Sequence, residues 1–410
     1  MVFSPRMRDD TSLASPAKSV SRIASIDALR GVVMIVMALD HVRDFFHAGA
    51  MSFSPTDLAR TTPALFLTRW ITHFCFPVFM FVSGTGAFLF AQRSRTPRLL
   101  SRFLLTRGLW LILLELTVMQ LAYNFTFHIR VIFILILWIF GLCMILMAAL
   151  VRLPIRWVAG LGIAVVVFHN LLDGIQAKHF GSFAWVWTLL HQPGGIPVGG
   201  YRLQAPYPIL PWLGVMAAGF SFGQVFALGL PQRRRVMLSI GVSAIVAFLV
   251  LRAINRYGDP VPWSHQTSTI FTVLSFLNCT KYPASLDFLL MTLGPALLML
   301  GALQRIEFAP ANPLTVFGRV PLFYFILHFY LIHTLAVTAA WLRYGTAAAR
   351  FTFTPLPSMG GDRHLFPLDF GYSLWVAWGA WALTVALLYP ICLWFAKLKS
   401  ARRDWWLSYL

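Results

Sequence analysis

Apolar runs long enough to cross a bilayer recur along the whole chain, at 26–46, 66–91, 103–122, 129–150, 155–172, 207–229, 236–254, 284–304, 320–341 and 372–396. A helix needs about 20 such residues to span the hydrocarbon core. The pattern predicts an all-α integral membrane protein, one bundle of about ten transmembrane helices. The fifth run is the shortest, and the count leans on it. The stretch FAWVWTLL at 183–190 is too short to span and reads as an aromatic anchor in the interface. No internal repeat is visible.

The polar segments between the runs give the bundle a direction. With the N-terminus in the cytoplasm, 19 of the 33 Lys and Arg residues fall on the inner side, 11 on the outer side, and Arg30, Arg43 and Arg107 within spans. The short segments 92–102, 151–156 and 230–235 are basic and all fall inside, as the positive-inside rule requires. The long ones, 47–65, 173–206, 255–283 and 342–371, all fall outside. Both termini are then cytoplasmic. The outer loops are aromatic and rich in Gly, Pro and His, the kind of segment on which binding residues sit.

Composition narrows the reading. Hydrophobic residues make up 58% of the chain and charged ones 11%, against about 25% charged in a soluble domain. The net charge of +19 would suit a nucleic-acid partner, but its distribution follows membrane topology, so no nucleic acid is expected. The partners implied are membrane lipid and whatever the outer loops meet. The polar stretch 1–24 reads as a cytoplasmic tail without a cleaved signal peptide. Residues 25–397 read as the transmembrane domain and 398–410 as a basic, aromatic cytoplasmic tail. Cys75, Cys143, Cys279 and Cys392 have no paired spacing, so neither a metal motif nor a disulfide framework is expected.

The first run carries the chemistry. Asp27, Arg30, Asp40, His41, Arg43 and Asp44 all lie in it or at its ends. Each charge near the centre of a span costs roughly 2.5–3.5 kcal/mol on insertion scales, more load than an anchor would keep. Arg30 and His41 are eleven residues apart, which is about 20° in azimuth and roughly 16 Å along the axis. Asp27, Met37 and Asp44 fall within about 60° of Arg30, and Arg43 points away. One helix face is thus polar at two depths, with Met34 and Met37 between. A histidine beside Asp40 can act as a general base, held in one tautomer by Asp40 or Asp44. Asp27 also suits a helix cap.

Other intramembrane groups are candidates. His73 precedes FVSGTG at 81–86, where Ser83 and Gly84 allow either close packing or a narrow opening for a cofactor. Glu115 needs a partner, with Arg107 or a group on the first helix the obvious choices. His328 lies one turn after Tyr324, and its azimuth differs from that of His333 by about 140°, which rules out a metal pair on one face. Lys281 and Asp287 border the outer entrance of the eighth run. The rival function is a transporter of a small polar solute, since intramembrane charge suits that as well.

SIDALRG, with His41 eleven positions after Arg30 and an SG-containing second helix, resembles the signature of the transmembrane acyltransferases. LDHVRDFF (39–46), HFCFPVFMFVSG (73–84), YPILPWLGVMAAGFSFG (207–223), NCTKYPASLDFLLMTLGPALL (278–298) and FGRVPLFYFILHFYLIH (317–333) resemble blocks of the bacterial membrane proteins grouped with the heparan-α-glucosaminide N-acetyltransferase catalytic domain. The resemblance implies transfer of an acetyl or other acyl group from cytoplasmic acyl-CoA to a sugar or glycan hydroxyl or amine outside. The setting it implies is a bacterial inner membrane, with acetyl-CoA as co-substrate and no tightly bound cofactor. It assigns the functional pair to Arg30 and His41. The heparan-type enzyme has an amide at the position of His41 and a histidine in the following loop, which keeps His47 in play as the base. Basic residues such as Arg93 would attract the CoA phosphates, and related enzymes can be homodimers.

Overall fold

The computed structural model describes residues 23–94, 96–127, 129–356, 361–402 and 404–409. The basic residues at 6, 8, 18 and 22 of the expected N-terminal tail, with Arg95 and Arg403, lie outside the described residues. The helices in chain order are α1 (Ala24–Phe46), α2 (Pro63–Thr72), α3 (Cys75–Ser94), α4 (Pro97–Leu114), α5 (Gln120–Asn124), α6 (Ile136–Leu150), α7 (Ile155–Phe168) and α8 (Ala184–Leu190). They continue with α9 (Ile209–Phe222), α10 (Leu230–Ile254), α11 (Thr269–Leu277), α12 (Leu286–Leu303), α13 (Pro313–Arg319), α14 (Pro321–Tyr344) and α15 (Leu374–Ala401). Each of the ten apolar runs is occupied by helix. Among the described residues, eight helical stretches are long and apolar enough to cross a membrane. The two runs that fall short do so for visible reasons: α1 carries too many charges, and α6 has only 15 residues.

The bundle is organised around α1, which packs against α2, α3, α12, α13, α14 and α15. Its closest approach is to α13. A Cβ on Gly31 would overlap the Leu314 carbonyl, and one on Gly318 would overlap the Asp27 carbonyl. Only glycine at both places lets the two backbones touch. This contact brings Gly318 and Arg319 beside the N-terminal half of α1. The α1 helix is capped by Ile23 with no side-chain bond, so Asp27 is not the expected cap; it lies buried inside the first turns, 3.7 Å from Arg30.

Three local departures from the apolar pattern shape the interior. The second run breaks at His73 and Phe74, which separate α2 from α3. The third run passes through a π-helical turn at Glu115–Met119 before α5. The fourth run was expected as helix from 129, but its first residues form strand β1 (Val131–Phe133). This strand pairs in parallel with β3 (Tyr201–Ala205), and β3 pairs antiparallel with β2 (Gly194–Val198). The register sets Phe133 opposite Gln204. The Gln120 side chain bonds the backbone of Phe133 on both sides, donating to its oxygen and accepting from its nitrogen.

Ordered loops cover the end of the bundle where these strands lie. Arg252, at the end of α10, is 1% exposed and donates to the carbonyls of Val261, Ser275, Phe276 and Asn278. It therefore ties loop 255–283 to the bundle. The stretch 183–190 contains the short helix α8, as its length suggested. The α15 helix runs through Ala401, past the expected boundary at 397, and the Tyr409 hydroxyl hydrogen-bonds that of Thr106 on α4.

Candidate active site

A cavity of about 590 Å³ runs beside α1, within the range of small-molecule sites. The α1 helix contributes Arg30, Met34, Met37, Asp40, His41, Asp44 and Phe45 to its wall. The polar face read from the helical period is the face that lines the cavity, with Met34 and Met37 between the two polar levels. Toward Arg30 the lining includes Ser83, Arg107, Arg319 and Lys399; toward His41 and Asp40 it includes Arg69, Gln204, Tyr207, Lys281 and Tyr282. A second cavity of about 430 Å³ adjoins the first, and the two share Arg30, Ser83, Arg107 and Met144. Arg93 and the stacked rings of Phe90 and Phe103 line the second cavity.

Arg30 is held from two directions. Its guanidinium donates to the Val82 carbonyl at 3.4 Å and lies 3.7 Å from the Asp27 carboxylate. Gly86 makes room for it, since a Cβ there would come within 3.2 Å of Nη2. Neighbouring Gly84 serves packing instead: a Cβ on it would overlap the Met216 carbonyl of α9, and it does not line either cavity. Of the two residues expected at a narrow opening, Ser83 faces both cavities and Gly84 faces α9.

The polar level at the C-terminal end of α1 is an ion network. Arg43 donates to Asp40 at 3.1 Å and to Asp44 at 2.7 Å, and the other Asp40 oxygen pairs with Arg69 of α2. Arg43 is buried, although its azimuth points away from Arg30. The wheel angle fixes only its Cβ, and the long side chain reaches back along the helix. No hydrogen bond joins His41 to Asp40 or Asp44 among the described residues. The carboxylates expected to orient His41 are committed to arginines. The His41 ring packs on Phe329, with centroids 4.1 Å apart, and faces His328 at 5.1 Å.

His47 lies just past α1. Its Nδ1 accepts from the Gly49 backbone at 3.1 Å, and it does not line the cavity. Burial and Arg43 both lower its pKa. Of the two candidate bases, only His41 reaches the cavity.

The remaining candidates divide into wall and frame. Lys281 is on the wall. Its neighbour Tyr282 is 36% exposed; desolvation would raise its pKa, yet Lys281, Arg69 and the hydrogen bond with Tyr207 at 3.3 Å bring the net shift below the ordinary value. Glu115 is fully buried but meets neither Arg107 nor α1. Its carboxylate accepts from Leu135 N at 3.1 Å, Leu137 N at 3.0 Å and Tyr123 Oη at 3.1 Å. It thus caps the start of α6. His73 is buried against Phe288, with ring centroids 5.3 Å apart. Asp287 sits behind the wall, 3.9 Å from Arg252. His328 is buried behind His41.

Arg69, Gln204, Tyr207, Arg319 and Lys399 line the cavity but carry no signal in the sequence pattern, whereas Arg107 stands out there as an intramembrane charge and Tyr282 as the neighbour of Lys281 at the entrance of the eighth run. Arg69 and Lys399 sit at the ends of apolar runs, where they read as interface charges. Among the described residues, no group of three or more His, Cys, Asp or Glu is placed to hold a metal ion.

These features define a multi-pass membrane protein with a charged cavity beside one central helix. The model of the heparan-alpha-glucosaminide N-acetyltransferase catalytic family matches residues 22–256, more than half the chain, and the chain belongs to that family. Membership makes it a membrane protein of an acetyltransferase family. The match covers α1 to α10, while Arg319, His328, Phe329 and Lys399 lie beyond it. No curated protein matches the chain.

Proposed function

We propose that the protein transfers an acetyl group from acetyl-CoA, bound at the cytoplasmic side of a bacterial inner membrane, to a hydroxyl or amine of a sugar or glycan on the outer side. One observation carries the reading. The cavity is walled at the Arg30 level by Arg319 and Lys399, from segments that the charge distribution assigns to the inside. At the His41 level it is walled by Gln204, Tyr207 and Lys281, from segments assigned to the outside.

In this reading the phosphates of CoA meet the cationic end, where Arg30, Arg107, Arg319 and Lys399 concentrate anions by electrostatic focusing. The adjoining cavity, with Arg93, adds room at that end. The acyl-bearing arm lies past Met34 and Met37, a distance of roughly 16 Å along α1. At the outer level a ring nitrogen of His41 takes the proton of the acceptor hydroxyl or amine. The acceptor atom forms a bond to the thioester carbonyl carbon, the C–S bond breaks, and the CoA thiolate leaves and is protonated. The network of Asp40, Arg43, Asp44 and Arg69 stiffens the outer half of α1, and with Lys281 it sets a polar entrance for the acceptor.

The test is radiolabelled acetyl-CoA presented to purified protein in detergent. Saturable binding, weakened by Arg30→Ala and by Arg107→Ala, supports the reading. Binding no greater than that of an unrelated membrane protein removes it. The acceptor is found by comparing acetylated glycans of a deletion strain with those of its parent.

A further inference from the structure

His328 is fully buried on α14, one turn beyond Tyr324. Its Nδ1 lies 3.1 Å from the Tyr324 carbonyl oxygen. A carbonyl only accepts, so Nδ1 carries the hydrogen and Nε2 is left as a bare acceptor. That Nε2 is buried and has no hydrogen-bond partner among the described residues. A buried acceptor of fixed direction, desolvated and left unused, calls for a donor.

The ring of His41 packs beside that of His328. The two centroids are 5.1 Å apart and the planes are tilted by 56°. A hydrogen bond of about 2.9 Å between two imidazole nitrogens places the centroids roughly 5 Å apart. The separation is therefore already that of a bonded pair, and rotation of the His41 ring about its broad terminal torsion aligns the bond. Phe329, packed 4.1 Å from His41, keeps the ring at this distance. Neither neighbouring carboxylate hydrogen-bonds His41: Asp40 pairs with Arg43 and Arg69, and Asp44 with Arg43.

We propose that His328 is a positioning residue for His41. Its Nε2 accepts the N–H of His41, which leaves the second His41 nitrogen bare and directed into the cavity. The proposal rests on the reading of His41 as the base. When His41 takes up the acceptor's proton, its bond to His328 becomes charge-assisted and strengthens, which favours the step. His328 itself neither gains nor loses a proton.

The test is nitrogen-15 magic-angle-spinning NMR of the full chain, labelled at histidine and reconstituted in lipid, with His41 assigned by the loss of its signals in His41→Asn. The expected wild-type result is one neutral His41 tautomer and a nitrogen–nitrogen coupling to His328. In His328→Phe the two His41 nitrogens should average, and in His328→Gln, whose side-chain oxygen reaches near the Nε2 position, a single tautomer should return. A wild-type His41 with averaged nitrogens, or without coupling to His328, overturns the proposal. So does an unchanged His41 spectrum in folded His328→Phe. The spectra need no substrate, so failure here is distinct from failure of the acetyl-CoA binding that tests the transfer reading.

Discussion

Replacing Arg69 by methionine isolates what the ion network around Asp40 contributes. The Asp40 and Arg69 side chains are 12% and 14% exposed, and Asp40 keeps a second partner in Arg43 at 3.1 Å. Removing one member of a buried pair costs about 3–5 kcal/mol, because the charge left behind is uncompensated. Since Arg43 still compensates part of the Asp40 charge, the expected loss for Arg69→Met lies at the lower end, about 3 kcal/mol. Removing both charges together leaves no orphan, so Asp40→Asn with Arg69→Met should recover most of that loss. The recovery should be incomplete, because Arg43 then bonds an amide and one carboxylate instead of two carboxylates. The assay is unfolding of the purified protein in mixed micelles of rising SDS fraction, followed by circular dichroism and analysed as a four-member mutant cycle. An Arg69→Met protein as stable as wild type would refute the reasoning. A double mutant that has lost the sum of the two single losses would also refute it.

Glu115→Ala leaves two backbone N–H groups and the Tyr123 hydroxyl without their acceptor, and each orphan costs about 1–3 kcal/mol. The same micelle assay should show a loss larger than that of Glu115→Gln, which keeps one acceptor oxygen; equal losses would contradict the capping role. Gly31→Ala forces α1 away from the Leu314 carbonyl, so it should lower the apparent melting temperature in nano-scale fluorimetry, while Ala at open Gly379 should not. His41→Ala should abolish acetyl transfer and leave folding intact, whereas His47→Ala should retain transfer, because only His41 lines the cavity. The reverse result, read as labelled glycan from acetyl-CoA in membrane vesicles, would move the base to His47.

The parts of this molecule visible in the sequence are those set by helical period. Ten apolar runs give ten helical positions, and the azimuths of Arg30, Met37, His41 and Asp44 predict the cavity-lining face of α1. Period says nothing about where a long side chain ends, and so Arg43, pointing away by azimuth, turns out to bridge Asp40 and Asp44. It is equally silent about partners from distant segments. Glu115 is recognisable as needing a partner, but Leu135 and Leu137 reach it only because β1 interrupts the fourth apolar run. Arg69 looks like one more interface arginine until α2 sets it against Asp40. His328 is one intramembrane candidate among several in the sequence, and only its unpaired nitrogen and its distance from His41 mark it out.

The central claim is that a donor entering at the Arg30 end reaches His41. Bromoacetyl-CoA, whose bromide a ring nitrogen displaces, tests it directly when added to inside-out vesicles and followed by peptide mass spectrometry. A Cys75→Ser background keeps the Cys75 thiol on the cavity wall from competing. Alkylation of His41 from the cytoplasmic face, with protection by free CoA, is the predicted result. Alkylation of His47 instead, or of His41 only in right-side-out vesicles, would contradict it.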